Sequence, residues 1–343
     1  MTSTSSMTST TGPNRRGSDW QHAVACLLVA VTAVLLCFGA LVTTFDAAMA
    51  VPDWPATYGH NMFLFPWSQW FHGPWDLFLE HGHRLLGAVV GLLSLLLAAA
   101  VWRWPASQAV RGLAAAAVLL VIVQGALGGA RVLLDDKTVA KVHACTGPLF
   151  FAVAVAVAAL TRRSSRTGAA ADWPGRTTAA AVAAGLTLAT YVQLVAGAQL
   201  RHLDASVDPL TFRWLVAFHV VGAGAVAVLA VAAVVSTRSA VHRPLRRGAL
   251  AVLGLVACQV ALGCGAWIVT WGVPSGFVPA AWSATDPLVA RSLWAATVVT
   301  GHVVLGMMIL GVAVVLAIAT GAPWAGRPGT PARLDRFREN AYA

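Results

Sequence analysis

The stretch Glu80-His81-Gly82-His83-Arg84 opens a long apolar run, and its second histidine decides how the whole chain is interpreted. Three later apolar runs carry a histidine in a comparable place, within His143-Ala144-Cys145-Thr146-Gly147, Phe218-His219-Val220-Val221-Gly222 and Gly301-His302-Val303-Val304-Leu305-Gly306. An ionisable side chain inside a lipid bilayer is costly and is usually functional. Four histidines at matched positions therefore indicate two pairs of ligands that converge inside a membrane.

The composition places the chain in a membrane. Hydrophobic residues make up 58% of the 343 residues, charged residues make up 10%, and the mean hydropathy is +0.73. A soluble domain carries about 25% charged residues. The net charge of +10 does not indicate a nucleic-acid partner, because the basic residues lie in short gaps between apolar runs rather than on one polar face.

Eight apolar runs are long enough to span, since a transmembrane helix needs about 20 residues. Their limits are 22–44, 78–102, 110–131, 139–160, 178–200, 212–236, 247–271 and 290–320. With the N-terminus inside, most of the 23 basic residues fall in the inner segments, and most of the 13 acids fall on the outer side. The positive-inside rule then predicts an all-α integral membrane protein with eight transmembrane helices and both termini in the cytoplasm.

A cleaved signal peptide is the alternative interpretation of the first run, because Arg15-Arg16 precede it and Ala48-Met49-Ala50 follow it. The run is longer than a usual signal core of about 7–15 residues, and its loss would leave the second helix without a partner. We therefore expect it to be retained. All five cysteines fall within predicted helices, where no disulfide framework is expected. They are Cys26, Cys37, Cys145, Cys258 and Cys264.

The eight helices repeat as four hairpins. The first helix of each hairpin ends in small residues, and the second carries the histidine near its outer end. The small residues are Gly39-Ala40, Gly128-Gly129, Gly197-Ala198 and Gly263-Cys264-Gly265. A glutamine shortly precedes three of them: Gln124, Gln193 and Gln259. Small residues let helices approach closely and leave room for a flat macrocycle.

The repeat predicts two four-helix bundles, related by a pseudo-twofold axis along the membrane normal. The expected units are a disordered cytoplasmic N-terminus (1–21), an N-terminal bundle (22–160), a cytoplasmic linker (161–177), a C-terminal bundle (178–320) and a cytoplasmic tail (321–343).

Haem is the ligand that this pattern favours. Zinc sites favour clustered ligands with short spacings, often including cysteine, whereas here each hairpin supplies one histidine. Haem iron takes axial histidines readily, and a ring suits two facing helices better than a small ion does. The alternative, a satisfied core or loop residue, is reasonable for one intramembrane histidine and less so for four at matched positions.

Haem propionates need cationic partners, and an arginine fork pairs well with a carboxylate. Four arginines fall near the outer ends of predicted helices: Arg84, Arg131, Arg201 and Arg291. Each could instead extend its charge to the membrane interface. As propionate partners they would place both haem sites toward the outer face.

Glu80 stands three positions before His83, so both lie on one face of a helix, a turn apart. An intramembrane acid without a function is expensive, although an acid is also favoured at a helix start by the helix dipole. No matching Glu precedes His143, His219 or His302. This asymmetry suggests that the N-terminal site performs chemistry while the C-terminal site only holds a cofactor.

These residues together resemble the haem A synthase family. Glu80-x-x-His83-Arg84 matches its E-x-x-H-R motif, and Pro52-Asp53-Trp54-Pro55 resembles part of its first outer loop. The stretch from Gln124-Gly125-Ala126-Leu127-Gly128-Gly129 to Arg131-Val132, followed by His143-Ala144, resembles its third and fourth helices. The resemblance covers residues 25–320.

The resemblance implies an oxidoreductase of cytochrome oxidase biogenesis in the bacterial inner membrane. It would oxidise the C8 methyl of haem O to a formyl group through a hydroxymethyl stage. His83 and His143 would receive the substrate haem, with Glu80 beside the methyl as a base or as a stabiliser of positive charge. His219 and His302 would ligate a permanent haem b.

The chain departs from the family pattern at two places. Thr43 stands where the family usually has an arginine, and Val51 and Thr57 flank the Pro52–Pro55 segment where many bacterial members have a cysteine pair. The long aromatic first outer loop is expected to lie on the outer membrane surface as a lid. His60, His72 and His81 in or near this loop are expected to be solvated or structural rather than further ligands.

Two other functional classes fit the four histidines. A non-catalytic di-haem electron carrier would not need Glu80, and a haem chaperone or transporter would bind haem transiently at the N-terminal pair. For the synthase, the expected partners are haem O, an electron acceptor and membrane lipid. Haem O synthase, oxidase assembly factors and a second copy of the chain are further candidates.

Overall fold

A computed structural model describes residues 13–162, 173–203, 207–272 and 292–321. Within these ranges the chain forms nine helices and no strand. They are α1 (Pro13–Thr44), α2 (Trp67–His72), α3 (Trp75–Arg103), α4 (Gln108–Leu134), α5 (Lys137–Thr161), α6 (Arg176–Arg201), α7 (Pro209–Thr237), α8 (Arg243–Trp271) and α9 (Leu293–Thr320).

Eight of the helices in the described ranges, all except α2, are long and apolar enough to cross a membrane. The prediction of an all-α protein with eight candidate spans is therefore confirmed. The predicted limits differ from those of the candidate spans by at most four residues at either end, the first span being the Asp19–Thr44 part of α1. Polar caps fix several of the starts: the side chains of Ser107, Asp136, Asp208 and Ser292 accept hydrogen bonds from backbone amides of the first turn.

The buried side chains form two large apolar clusters. One joins α1, α3, α4 and α5 through residues such as Leu28, Leu97 and Phe150. The other joins α6 to α9 through residues such as Leu186 and Val252. Because α1 supplies three fully packed residues of the first cluster (Val24, Ala25 and Leu28), it is an integral part of that core.

A third apolar cluster lies between the two groups of helices. Phe151 and Val155 of α5 pack with Leu310 and Val314 of α9, and partly buried residues of α1 and α6 surround them. Helix α9 is consequently the most enclosed of the eight spans described. The helices that carry His143 and His302 therefore pack against each other at this joint.

Some sequence predictions fall outside the described residues. They are residues 1–12 of the N-terminal segment predicted to be disordered (1–21), part of the linker, the tail after Gly321 and Arg291. The rest of that N-terminal segment, from Pro13, is helical and belongs to α1, so the prediction of disorder is wrong there. The short helix α2 was not predicted, because its six residues, Trp67–His72, lie in an aromatic loop without a long apolar run. All five cysteines lie within helices and are free, as predicted.

Candidate functional site

The four histidines come together as two pairs. The ring centres of His83 on α3 and His143 on α5 are 6.4 Å apart, with an angle of 81° between the ring planes. The ring centres of His219 on α7 and His302 on α9 are 6.3 Å apart, with an angle of 74°. The near-equality of the two distances means that the two groups of helices build the same local arrangement.

Each histidine ring lies against a glycine at the end of the preceding spanning helix. A Cβ atom at Gly39 would lie 2.9 Å from Cε1 of His83, and one at Gly128 would lie 3.4 Å from Cε1 of His143. The corresponding distances are 3.3 Å for Gly197 and His219 and 2.9 Å for Gly263 and His302. The small residues of the repeat therefore make room for the imidazoles themselves.

The spacing of each pair fits two axial ligands of one metal ion. A bond from a metal to an imidazole nitrogen is about 2 Å long, and about 1 Å more separates each nitrogen from its ring centre, so ligating rings are about 6 Å apart. Among the described residues, no group of three or more His, Cys, Asp and Glu side chains is placed to hold a metal ion. A cofactor that brings its own equatorial ligands, as haem does, suits these pairs better than a bare ion.

Glu80 lies beside the first pair and is buried, with 4% of its surface exposed. Its Oε2 accepts a hydrogen bond of 2.9 Å from the backbone amide of Val51, and its Oε1 accepts one of 2.8 Å from Arg84. Charge-assisted bonds of this kind hold a carboxylate in a fixed orientation. No acidic side chain takes this place at the second pair within the described residues.

Arg84 ties the first outer loop to the same site. Its guanidinium donates to the carbonyls of Asp53 at 2.6 Å, Ala56 at 2.9 Å and Val51 at 2.7 Å, in addition to Glu80. Five N–H donors in a planar fork make such multiple bonding possible for Arg and not for Lys. These hydrogen bonds fasten the start of the loop to Arg84, one helical turn after Glu80 on α3.

The loop also contacts α4. Trp54 packs so closely on Gly129 that a Cβ atom there would lie 2.5 Å from Cδ2 of the indole. The aromatic loop is therefore fastened to α3 through Arg84 and to α4 through Gly129.

Hydrogen bonds within the loop hold Asp53 in its charged form. Burial alone would raise the pKa of Asp53, but hydrogen bonds from the amides of Gly59 and Tyr58, with the charge of Arg84, outweigh it and lower that pKa.

The other histidines of this region make structural contacts. His81 is buried between Phe65 and Trp70, and its Nδ1 lies 3.1 Å from the hydroxyl of Thr57. His60 pairs with Thr57 through the backbone, and His72 contacts the carbonyl of Ser68. None of the three faces either pair of candidate ligands.

Two further arginines lie within electrostatic reach of the candidate ligands, Arg131 near the first pair and Arg201 near His302. Arg131 donates to the carbonyl of Ala48 at 3.2 Å and is close enough to Glu80 to interact with its charge. Arg201 donates to the carbonyl of Ala40 at 2.6 Å and to the hydroxyl of Thr44.

Just beyond Arg201, His202 lies outside the membrane-spanning segments. Burial, followed by the charges of Arg201, Arg131 and Lys141, lowers the pKa of His202 to about 4. His202 is consequently neutral at pH 7, and the charged groups that act on it are Arg201, Arg131 and Lys141.

Three glutamines contribute contacts that the sequence did not predict. The side-chain amides of Gln124, Gln193 and Gln259 donate to the backbone carbonyls of His143, His219 and His302, at 3.2, 2.7 and 2.9 Å. The regular position of the glutamines before the glycines is visible in the sequence. Their acceptors are not, because every residue has a backbone carbonyl and the sequence does not show which one accepts the bond.

Comparison with known proteins agrees with this arrangement. Residues 22–216 match the family described as cytochrome oxidase assembly protein (COX15-CtaA). The chain is 32% identical over 269 residues to a protein of Symbiobacterium thermophilum named Heme A synthase, which covers 71% of this chain and 84% of that protein. It is 27% identical over 176 residues to a Heme A synthase of Geobacillus kaustophilus, covering 49% of this chain and 52% of the relative.

Proposed function

The chain belongs to the cytochrome oxidase assembly protein family, and on that premise we propose that it is a haem A synthase that oxidises the C8 methyl of haem O to a formyl group. The observation that carries the proposal is the asymmetry between two equal histidine pairs: in the part of the chain that the structure describes, only the first has a buried carboxylate, Glu80, one helical turn from a candidate ligand. A protein that merely held two haems would have no need of this costly group.

The proposed architecture is two four-helix bundles related by a pseudo-twofold axis along the membrane normal, spanning residues 22–160 and 178–320. The separate apolar clusters of α1–α5 and α6–α9 support it. The distribution of arginines supports cytoplasmic termini, with both histidine pairs toward the outer face of a bacterial inner membrane. The segments 1–21, 161–177 and 321–343 would then lie in the cytoplasm.

His83 and His143 would hold the substrate haem O, and His219 and His302 would hold a resident haem b. Bound there, haem b would supply one-electron redox chemistry toward an electron acceptor. Arg131, within electrostatic reach of the first pair, and Arg201, within reach of His302, would suit the binding of propionates. Arg84 and Arg291 are the other two arginines proposed for that role, and Arg84 would have to share it with its contacts to the loop.

Glu80 would act on the methyl group of the substrate. The Val51 amide and the Arg84 guanidinium fix its two oxygens, so the carboxylate is positioned before substrate binds. A preorganised negative charge in a site without bulk water stabilises positive charge that develops during a reaction. In the same position it can accept a proton from the hydroxymethyl stage.

The test is haem analysis in a bacterium that makes haem O and lacks haem A. Expression of the chain should produce haem A or its hydroxymethyl precursor. Glu80→Gln should lower haem A formation about a hundredfold or more, the usual contribution of a positioned acid–base group, while haem b stays bound. Asp76→Asn is the matched control, because Asp76 is an exposed acid one turn earlier on the same helix.

Two outcomes would count against the proposal. If Glu80→Gln makes haem A as fast as the unaltered chain, the asymmetry of the two pairs has no catalytic meaning. If the unaltered chain binds haem b but makes no haem A, although haem O and an electron acceptor are present, the chain is a di-haem carrier or a haem chaperone.

A further inference from the structure

The three glutamine amides form one repeated contact. Gln124, Gln193 and Gln259 each lie four residues before the glycine that faces a histidine ring, namely Gly128, Gly197 and Gly263. Each amide crosses to the second helix of its hairpin and donates to the carbonyl of that histidine. We call this contact the Gln–His clamp.

A second glycine receives each glutamine on the histidine-bearing helix. Gly147 and Gly306 lie four residues after their histidines, and Gly222 lies three after its own. A Cβ atom would lie 3.8 Å from the Gln124 amide nitrogen at Gly147, 2.5 Å from the Gln193 amide oxygen at Gly222, and 3.2 Å from the Gln259 amide nitrogen at Gly306. Each clamp therefore consists of a glutamine amide that donates, a histidine carbonyl that accepts, and a glycine on the facing helix that leaves space for the glutamine side chain.

The first hairpin has the space but not the donor. Leu35 stands four residues before Gly39, at the position of the glutamines, and packs with the apolar cluster of α1–α5. Gly87 stands four residues after His83, and a Cβ atom there would meet nothing within 4 Å. Within the described residues, no side chain donates a hydrogen bond to the carbonyl of His83.

At one of the three clamped histidines the ring is held as well, by the backbone carbonyl of the glutamine rather than by its side-chain amide. At His302 the ring Nδ1 lies 3.2 Å from the carbonyl of Gln259, the same residue whose amide holds the His302 carbonyl. A hydrogen bond at Nδ1 selects the tautomer that leaves Nε2 free to ligate a metal, and such outer contacts orient the ring. A histidine fastened at both its ring and its carbonyl has little freedom to turn away from iron.

We propose that three glutamines are positioning residues that hold their histidines for ligation: Gln124 for His143, Gln193 for His219 and Gln259 for His302. We further propose that His83, which faces Leu35 instead of a glutamine and so has no clamp, is the ligand that releases haem. The resident cofactor would then lie between two clamped histidines, and the exchanged haem between one clamped and one unclamped histidine. The second half of this proposal rests on the proposed function, since it assigns exchange to the first pair. The clamp itself does not rest on it.

The first test removes a clamp from the second pair. Gln259→Leu in the purified holoprotein should raise the rate of haem b transfer to apomyoglobin about tenfold or more, as loss of an outer contact to a ligating histidine usually does. It should also shift the low-spin electron paramagnetic resonance signal, because the turn of helix that carries His302 loses its amide contact and the ring moves with it, although the backbone carbonyl of residue 259 remains opposite Nδ1. Gln21→Leu is the matched control: Gln21 also donates to backbone carbonyls, of Ala100 and Trp104, but far from either pair.

The second test adds a clamp to the first pair. Leu35→Gln provides an amide opposite Gly87 and should slow the loss of haem O from the first pair about tenfold, with the haem b signal unchanged. Gln124→Leu gives a reading that does not depend on the fit of an added side chain: it should speed the loss of haem O from the first pair and leave haem b in place.

The outcomes separate the clamp from the proposed function. If Gln259→Leu matches Gln21→Leu in haem b transfer and in its resonance signal, the clamp is overturned, even if the chain makes haem A. If Gln259→Leu loosens haem b while the unaltered chain makes no haem A, the clamp stands and the proposed function fails. If Leu35→Gln and Gln124→Leu both leave haem O exchange unchanged, the role given to His83 is wrong.

Discussion

At the scale of single residues, Arg84 holds the first outer loop against the carboxylate of Glu80. Its side chain is 9% exposed and that of Glu80 is 5% exposed, so the pair is well removed from solvent. A buried charge is stable only when its hydrogen-bonding groups are satisfied. Arg84 meets that requirement with three loop carbonyls and one carboxylate, which makes the conformation of the loop and the position of Glu80 depend on each other.

Arg84→Lys should therefore loosen the loop while keeping the charge. A lysine cannot make the four bonds of the guanidinium, and each lost bond to a charged group costs about 1.5 kcal/mol or more. We expect residues 45–66 to open at least about tenfold more often, measured by limited proteolysis or hydrogen exchange in detergent. Arg103→Lys, at the exposed C-terminal end of the same helix, is the control. Equal protection of the loop in both variants would show that Arg84 does not hold it.

At the scale of helices, the glycine pairs set how closely each hairpin closes on its histidine. Helix α8 shows the contrast within one element. A Cβ atom at Gly263 would lie 2.9 Å from the His302 ring, whereas one at Gly254 would meet nothing within 4 Å. The same substitution at these two positions of one helix would therefore contact the candidate ligand His302 in one case and open space in the other.

Gly263→Ala should push the His302 ring out of its position and lower the haem b content of the purified protein about tenfold or more. Gly254→Ala should leave the haem b content unchanged, since alanine is favoured over glycine inside a helix and has space there. The absorbance of haem relative to protein measures both. A fully loaded Gly263→Ala protein would mean that the second pair does not need this close approach.

The elements differ in how far the sequence could predict them. The eight spans follow from apolar runs because bilayer thickness fixes their length, and the histidine repeat predicted the partners of each pair. The contacts of Arg84, Gln124 and Gln259 escaped prediction because their acceptors are backbone carbonyls, which every residue has. Helix α2 escaped because six residues are too few to show a helical period.

At the scale of the whole molecule, Thr44 stands at the joint between the two groups of helices. Its hydroxyl donates to the Ala40 carbonyl within α1 at 2.8 Å, accepts a hydrogen bond from Arg201 of α6, and lies 3.1 Å from the hydroxyl of Thr300 on α9. The same turn of α1 carries Gly39, which faces His83. A polar network thus connects the first histidine pair to the helices that hold the second.

Thr44→Val should weaken this joint without changing the shape of the side chain. It removes the acceptor of Arg201 and the partner of Thr300, and interhelical hydrogen bonds in membranes are worth about 1 kcal/mol. Thr43→Val is the control, because among the described residues the Thr43 hydroxyl donates only to the carbonyl of Gly39 of its own helix, at 3.2 Å. Thermal unfolding in detergent should give a lower midpoint for Thr44→Val than for Thr43→Val. Equal midpoints would mean that the apolar cluster of Phe151, Val155, Leu310 and Val314 alone holds the two halves together.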